Sequence, residues 1–372
     1  MFHLMFSLPC LYVIARFIWP MPWAVQARVA VAILLVLVSQ YHLYCRFSSG
    51  SVFSPEFPRL VVVLFNWGFG AILLTAVFQL IVDIGTLIAT LIRRRLLSIP
   101  AAVRYGLGTT ALVLSAVGVQ QAVGVPPVKD IEITIRNLPA QFEGYKVLQL
   151  TDMHISRLFD APWTQAVVRR SNELGVDLIV VTGDLIDGSV SDRAQDVEAL
   201  RNLQASDGVY VIPGNHEYFF DYAAWMQYFV SLGMRPLANS HTLIERDGAQ
   251  IVLAGVTDLT APRTGFPPPD LTQAIAGAPK DLPVILLDHQ PRNARNAASQ
   301  GVALQLSGHT HGGMILGIDR VIALVNEGFV SGLYDVDGMQ LYVNNGTALW
   351  PGFALRLGKP SELTRITLRR AQ

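Results

Sequence analysis

The sequence predicts a membrane-embedded helical region over residues 1–125 followed by an α/β domain over residues 126–372. Three observations carry this. Apolar residues make up 51% of the chain and charged ones only 15%, a balance more apolar than soluble globular domains show. Acidic residues are almost absent before residue 126, and the basic ones fall in short clusters between apolar runs. Beyond Pro126-Pro127 charges return, and short apolar runs begin to alternate with helix-like segments.

Four apolar runs occupy the first region: about Leu4 to Ile18, Val29 to Tyr44, Leu60 to Ile92, and Tyr105 to Val123. A bilayer span takes ~20 apolar residues, so the second and fourth suffice, the first is short and the third exceeds the need and has room to tilt. The first run lacks the basic start and small-residue cleavage site of a signal peptide. Arg93, Arg94, Arg95 and Arg104 lie between the third and fourth runs, whereas the preceding loop carries only Arg46 and Arg59. By the positive-inside bias the triplet is cytoplasmic, and the last span carries the chain outward, so the α/β domain is expected to be extracytoplasmic. Asp83 falls near the end of the long third run and is expected at the inner interface, and His42, near the end of the second, reads as an interfacial residue.

Composition excludes other classes. Formal net charge is zero, so no basic excess argues for nucleic acid. The two cysteines, Cys10 and Cys45, both precede the α/β region, which leaves that region without a disulfide framework or a thiolate metal site.

In the second region Ile131, Ile133 and Ile135 alternate with polar neighbours, the two-residue period of a half-buried strand. Further strand-like runs follow at Val147–Leu150, Leu178–Val181, Val209–Ile212, Ile251–Ala254, Val284–Leu287, Ala303–Leu306 and Leu341–Val343. Pro162–Leu174 and Ala194–Leu203 read as helices between them. Gly265-Phe266-Pro267-Pro268-Pro269 reads as a stiff surface loop.

Five segments close apolar runs with metal-ligand residue types: Asp152-Met153-His154, Gly183-Asp184-Leu185-Ile186-Asp187, Gly214-Asn215-His216-Glu217, Asp288-His289-Gln290 and Gly308-His309-Thr310-His311. Five of the eight histidines lie in them. Loops at strand ends point side chains into a crevice at the sheet edge. Asp152 with His154, and His309 with His311, are two apart, a spacing that puts each pair on one side of an extended chain. The donors are carboxylate, imidazole and amide without sulfur, a set suited to Mn, Fe or Zn. They exceed what one tetrahedral ion needs. Two ions about 4 Å apart are the economical solution, and such pairs clamp the attacking and leaving oxygens in phosphoryl displacement.

Taken in order, the five segments resemble the calcineurin-like metallophosphoesterases, with their D-x-H, G-D-x-x-D, G-N-H-E, lone H and G-H-x-H motifs. The likeness runs from about Asp130 to Leu368. The tail Gly338–Gly346 with Pro360-Ser361-Glu362-Leu363 resembles a subgroup of membrane-anchored or exported bacterial enzymes, some of which cleave UDP-diacylglucosamine in lipid A synthesis. Met314 departs from it, standing where that subgroup often has Gln. The resemblance implies a four-layer α/β/β/α sandwich and two divalent transition-metal ions. It implies that Asp152, His154 and His311 hold the first ion, that Asn215, His289 and His309 hold the second, and that Asp184 bridges them. A water activated by the metals would attack phosphorus, while His216, oriented by Asp187, protonates the leaving oxygen.

The expected partner is a phosphomonoester or phosphodiester, with a lipid or envelope component suggested by the membrane anchor. Glu217 and His241 are read as structural. Arg157, Arg263 and Arg292 lie near motif loops as candidate phosphate ligands. The aromatic run Tyr218, Phe219, Phe220, Tyr222, Trp225, Tyr228 and Phe229 reads either as a core helix or as an apolar lip toward the bilayer. Two rivals from other classes are a metal-containing, catalytically inactive sensor of a phosphorylated ligand and a transporter. All ligand positions and His216 are filled, which disfavours the first. The runs lack paired Gly/Pro-broken helices, which disfavours the second.

Overall fold

A computed structural model describes residues 2–371. The chain divides into two compact units, Met1–Ala122 together with Pro351–Leu357, and Val123–Trp350 together with Gly358–Gln372. The helical unit therefore ends three residues before the expected boundary at 125 and reclaims a short stretch from near the C-terminus.

The helical unit contains α1 (Phe2–Val13), continued by a π-helical turn to Ile18, α2 (Val25–Ser39), α3 (Tyr41–Ser49), α4 (Arg59–Arg93) and α5 (Ala101–Val123). Among the described residues, only α4 and α5 are, each alone, long and apolar enough to cross a membrane; α2 and α3 are bent by 45° and count as a third span if taken together. The expectation of about four spans exceeds this because the first run is a short apolar helix. Asp83, on α4, accepts hydrogen bonds from Tyr12 (2.7 Å) and Gln79 (2.8 Å) and pairs with Arg16 at 3.0 Å. Its charge is thus matched within the unit. His42 is buried between the rings of Tyr41 and Phe69. Cys10 and Cys45 are free and buried.

The stretch Pro351–Leu357 is held by buried polar groups of the helices. Asn66 donates to the Pro351 carbonyl at 2.9 Å and accepts from the Ala354 amide at 2.6 Å, and the Tyr41 hydroxyl also donates to Pro351 at 3.0 Å. A Cβ on Gly70 of α4 or Gly118 of α5 would lie 2.4 Å or 2.9 Å from the Leu355 side chain. Small residues here let Leu355 seat between helices.

The α/β unit is built on two six-stranded sheets. The first has the order β1 (Val128–Ile135), β12 (Leu363–Arg370), β2 (Lys146–Leu150), β3 (Leu178–Thr182), β4 (Val209–Ile212) and β5 (Arg235–Pro236). The second runs β10 (Gly332–Val336), β11 (Met339–Val343), β9 (Leu304–Ser307), β8 (Val284–Leu287), β7 (Ala249–Gly255) and β6 (Ser240–Arg246). The central pairings β2–β3–β4 and β7–β8–β9 are parallel.

Their inner faces share one apolar core, in which Val147, Leu178, Val180 and Ile212 pack with Leu253, Ile285, Leu287 and Leu306. Alternate residues turn outward, as the strand period requires. Leu286, Leu341 and Val343 pack with α10 (Leu271–Ala274) and α11 (Ala294–Ser299) on the far side of the second sheet. The remaining layer is α6 (Ala161–Asn172), α7 (Val190–Val197) and α9 (Tyr222–Ser231), in which α7 touches both α6 and α9, with α9 also on β5. This is the α/β/β/α sandwich. Two further short helices, α8 (Asn215–Phe219) and α12 (Asp319–Val325), sit in the loops that carry the motifs.

Candidate metal centre

Each ligand-type residue lies just past the carboxyl end of a parallel strand. Asp152 and His154 follow β2, Asp184 and Asp187 follow β3, and Asn215 and His216 open α8 after β4. His289 follows β8, and His309 and His311 follow β9. Open α/β sheets put their ligands at these ends.

The expectation that strand periodicity aligns Asp152 with His154, and His309 with His311, is corrected by the backbone. None of the four lies on a strand. Their φ angles are 51°, 44°, 68° and 51°, and Asp184 has 54°. A left-handed conformation costs an L residue about 1–2 kcal/mol, so strain is concentrated in the ligand loops, as at many functional sites. The turns also separate the last pair: His311 groups with Asp152 and His154, whereas His309 groups with Asp184 and His289. Gly183 (φ 92°) permits the closest approach, since a Cβ there would stand 2.5 Å from the Gly214 nitrogen.

The side chains converge tightly. His154 Nε2 is 3.3 Å from His311 Nε2, and Asp152 Oδ1 is 3.6 Å from the same atom. His289 Nε2 is 3.2 Å from both Asp184 Oδ2 and Asn215 Oδ1. Asp184 Oδ2 also lies 3.9 Å from His154 Nε2 and 4.0 Å from His216 Nε2, which makes this carboxylate the shared centre. The backbone fixes the ring of His289, whose Nδ1 donates to the Thr182 carbonyl at 2.7 Å.

Asp152 and Asp184 are both buried, and buried carboxylates need compensation. Burial and the Asp184 charge push the Asp152 carboxyl up. Burial opposes ionisation of Asp184 too, yet His289, His216 and His154 hold it well below the usual range. In turn, the Asp184 charge raises His289 well above its ordinary value against the effect of burial. His309 is driven down to about 3 by burial and by its charged neighbour His289, so it stays a neutral imidazole with a free lone pair. The Asp184 carboxylate stabilises positive charge beside it, and the cluster offers nitrogen and oxygen donors around that charge. Residues of this kind in this arrangement fit divalent cations.

Asp187 holds two rings at once. One oxygen takes a very short hydrogen bond from His216 Nδ1, and the other lies 3.1 Å from His154 Nδ1. Burial would lower the His216 pKa, but Asp184 and Asp187 outweigh it and push the imidazole up to about 9. His216 is therefore a charged donor at neutral pH, with Nε2 turned toward Asp184.

Glu217 is structural in a way that bears on the centre. Its carboxylate accepts from the backbone amides of Asp184 (3.0 Å), Leu185 (2.8 Å) and Gly214 (2.7 Å), clamping the β3 turn to the β4 turn. Burial and the nearby Asp184 raise its pKa to about 7. A Gln side chain has only one oxygen to offer these three donors. Glu217→Gln is expected to lower the thermal midpoint by roughly 5–10 °C, read by differential scanning fluorimetry in detergent. An unchanged midpoint would remove the clamp from the account.

Other candidates separate. Arg157, Arg263 and Arg292 are exposed, and of these Arg292 acts electrostatically on His309. His241 Nδ1 donates to the Ala274 carbonyl at 2.7 Å, away from the cluster. The aromatic run divides: Trp225 and Phe229 are core, while Phe219 is 42% exposed with its ring 5.3 Å from His216. Two contributors have no motif signal. Buried Arg193 donates to the Asp187 carbonyl at 2.8 Å. The amides of Thr347 and Ala348 donate to the carbonyls of Thr151 (2.8 Å) and Asp152 (3.0 Å), fixing the first ligand loop from the far end of the sequence.

The calcineurin-like phosphoesterase family profile matches residues 145–313. The uncharacterized metallophosphoesterase YkuE of Bacillus subtilis is 32% identical over 251 residues, covering 65% of this chain and 86% of that protein. The chain belongs to the calcineurin-like phosphoesterases. A Danio rerio protein described as a transmembrane protein with metallophosphoesterase domain is 35% identical over 268 residues, covering 70% of this chain. Its Bos taurus counterpart is 36% identical over 272 residues, again covering 70%. The chain spans 61% of the length of each of these two relatives. Like them, this phosphoesterase combines the family's domain with helices apolar enough to span a membrane.

Proposed function

We propose that the α/β unit is a membrane-anchored, two-metal hydrolase of phosphomonoesters or phosphodiesters, its substrate an envelope or lipid-borne ester. The observation that carries this reading is buried Asp184, which belongs to two of three His/Asp groups, one with His154 and His216 and one with His289 and His309, while Asp152 and His311 join His154 in the third. Asp152, His154 and His311 would hold one ion and Asn215, His289 and His309 the other, with Asp184 shared between them. Divalent ions so held supply a nucleophile at neutral pH and offset charge on the phosphate oxygens. His216 donates its proton to the departing oxygen. Asp187 keeps the His216 ring in the donating orientation and restores its charge preference after transfer.

Metal removal tests the reading. Full-length protein treated with EDTA is expected to lose essentially all cleavage of bis(p-nitrophenyl) phosphate and regain it with Mn²⁺, with about two metal atoms per chain by elemental analysis. Hydrolysis that survives exhaustive chelation would reject it.

We also infer that the α/β unit faces the extracytoplasmic side, supported by Arg93, Arg94 and Arg95 at the end of α4 and by the length of α5. Reporters fused to the C-terminus decide it: an exported alkaline phosphatase is expected to be active there, and a fusion active only in the cytoplasm would reverse the orientation.

A further inference from the structure

The segment that follows the last metal motif breaks the rule that apolar side chains leave water. Helix α12 has no buried residue. Leu316 is 71% exposed, Val321 60%, Leu324 82% and Val325 63%, with Ile318 at 40%. Five aliphatic side chains of one short segment are thus left in water, the kind of exposure that marks interaction sites on soluble surfaces.

This patch is rigidly tied to the centre. Helix α12 packs on the turn His311–Gly313. Gly313 (φ 76°) makes that contact possible, since a Cβ there would stand 2.3 Å from the Asp319 Cα. The one acid in α12, Asp319, is neutralised by Lys359 at 3.1 Å and accepts from the Gly317 amide at 2.7 Å. Arg320 is left exposed at the polar edge. Phe219, beside His216, gives the same cluster a second exposed apolar flank.

We propose that Leu316–Val325 docks into the interfacial layer of a lipid bilayer and sets the metal centre at headgroup depth, so that the ester hydrolysed is one carried on a lipid. A bilayer suits the chemistry better than a protein partner. An aliphatic face with a cation at its edge is the pattern of an interfacial segment, where the cation meets lipid phosphate. The chain also brings the bilayer with it, through helices apolar enough to cross one and only the residues 124–127 between α5 and β1. The substrate half of the inference rests on the phosphoesterase reading above; the docking half does not.

The test uses the full chain in nanodiscs of phosphatidylcholine and phosphatidylglycerol. A cysteine introduced by Leu324→Cys carries an environment-sensitive fluorophore. Lys280→Cys, in the loop before β8 and thus at the opposite strand end from the ligands, is the control. The native chain, whose cysteines are buried, is the labelling blank. Brominated lipid is expected to quench the label at 324 several-fold more than the label at 280. Equal quenching, or self-quenching that follows protein concentration instead of lipid, overturns the docking.

A second arm needs no label. Leu316→Ser with Leu324→Ser is expected to lower kcat/KM about tenfold on the p-nitrophenyl ester of dioleoylphosphatidic acid in vesicles, with bis(p-nitrophenyl) phosphate unchanged. An equal effect on both esters rejects the lipid-borne substrate. If the native chain cuts neither ester while quenching at 324 persists, the phosphoesterase reading fails and the docking stands.

Discussion

Asp184→Asn is expected to lower kcat/KM for bis(p-nitrophenyl) phosphate by about 10³-fold or more, equivalent to ~4 kcal/mol of lost transition-state stabilisation. The reason is geometric. Asp184 Oδ2 stands within 4.0 Å of nitrogens on His154, His216 and His289, and its other oxygen accepts from the His216 amide at 2.8 Å. One charge serves two of the three His/Asp groups and orients the loop of the proton donor. The amide keeps the shape and removes the charge. Metal content per chain should therefore fall along with the rate. A variant that keeps both its metal and its rate would show that Asp184 does not join the two groups.

The second large effect is expected at His216. His216→Ala should reduce the rate by about 10²–10⁴-fold, the range for a positioned general acid. The loss should be greatest for alkyl phosphate esters and smallest for nitrophenyl esters, because a poor leaving oxygen needs its proton in the transition state and a good one does not. The pH profile carries the same information. The imidazole is raised to about 9, with burial lowering it and Asp184 and Asp187 raising it more strongly. The acid is thus loaded below that value, and the rate falls as pH rises through it. That alkaline limb should be absent in His216→Ala. A uniform loss across leaving groups would assign His216 a binding role instead.

Much of the centre is legible in the sequence because each ligand follows a strongly apolar run. Leu178–Val181 and Val284–Leu287 read as buried strands, and Asp184 and His289 come directly after them. The backbone at the ligands is not legible. Nothing in the local pattern around Asp152 or His311 signals a left-handed turn at a non-glycine residue, so two-residue spacing suggests an extended chain that is not there. The second partner of Asp187 escapes for a related reason: His154 arrives from a different loop, and only the closed sandwich sets both rings against one carboxylate.

Strand β12 shows the limit for the fold. Leu363, Ile366 and Leu368 are buried, but Arg365 and Arg369 interrupt the pattern, and their pairing with Asp130 and Glu132 becomes visible only when β12 lies parallel to β1. The stretch Pro351–Leu357 is likewise illegible, because its partners Tyr41 and Asn66 lie near the other end of the chain.

The whereabouts of sulfur have a practical outcome. With Cys10 and Cys45 as the chain's only thiols, both sealed among the apolar helices, the α/β unit holds nothing for glutathione, peroxide or an alkylating drug to modify at a cysteine. Its metal-ligand donors are oxygen and nitrogen throughout, so no disulfide or thiolate in this half of the protein depends on whether it meets a reducing or an oxidising compartment.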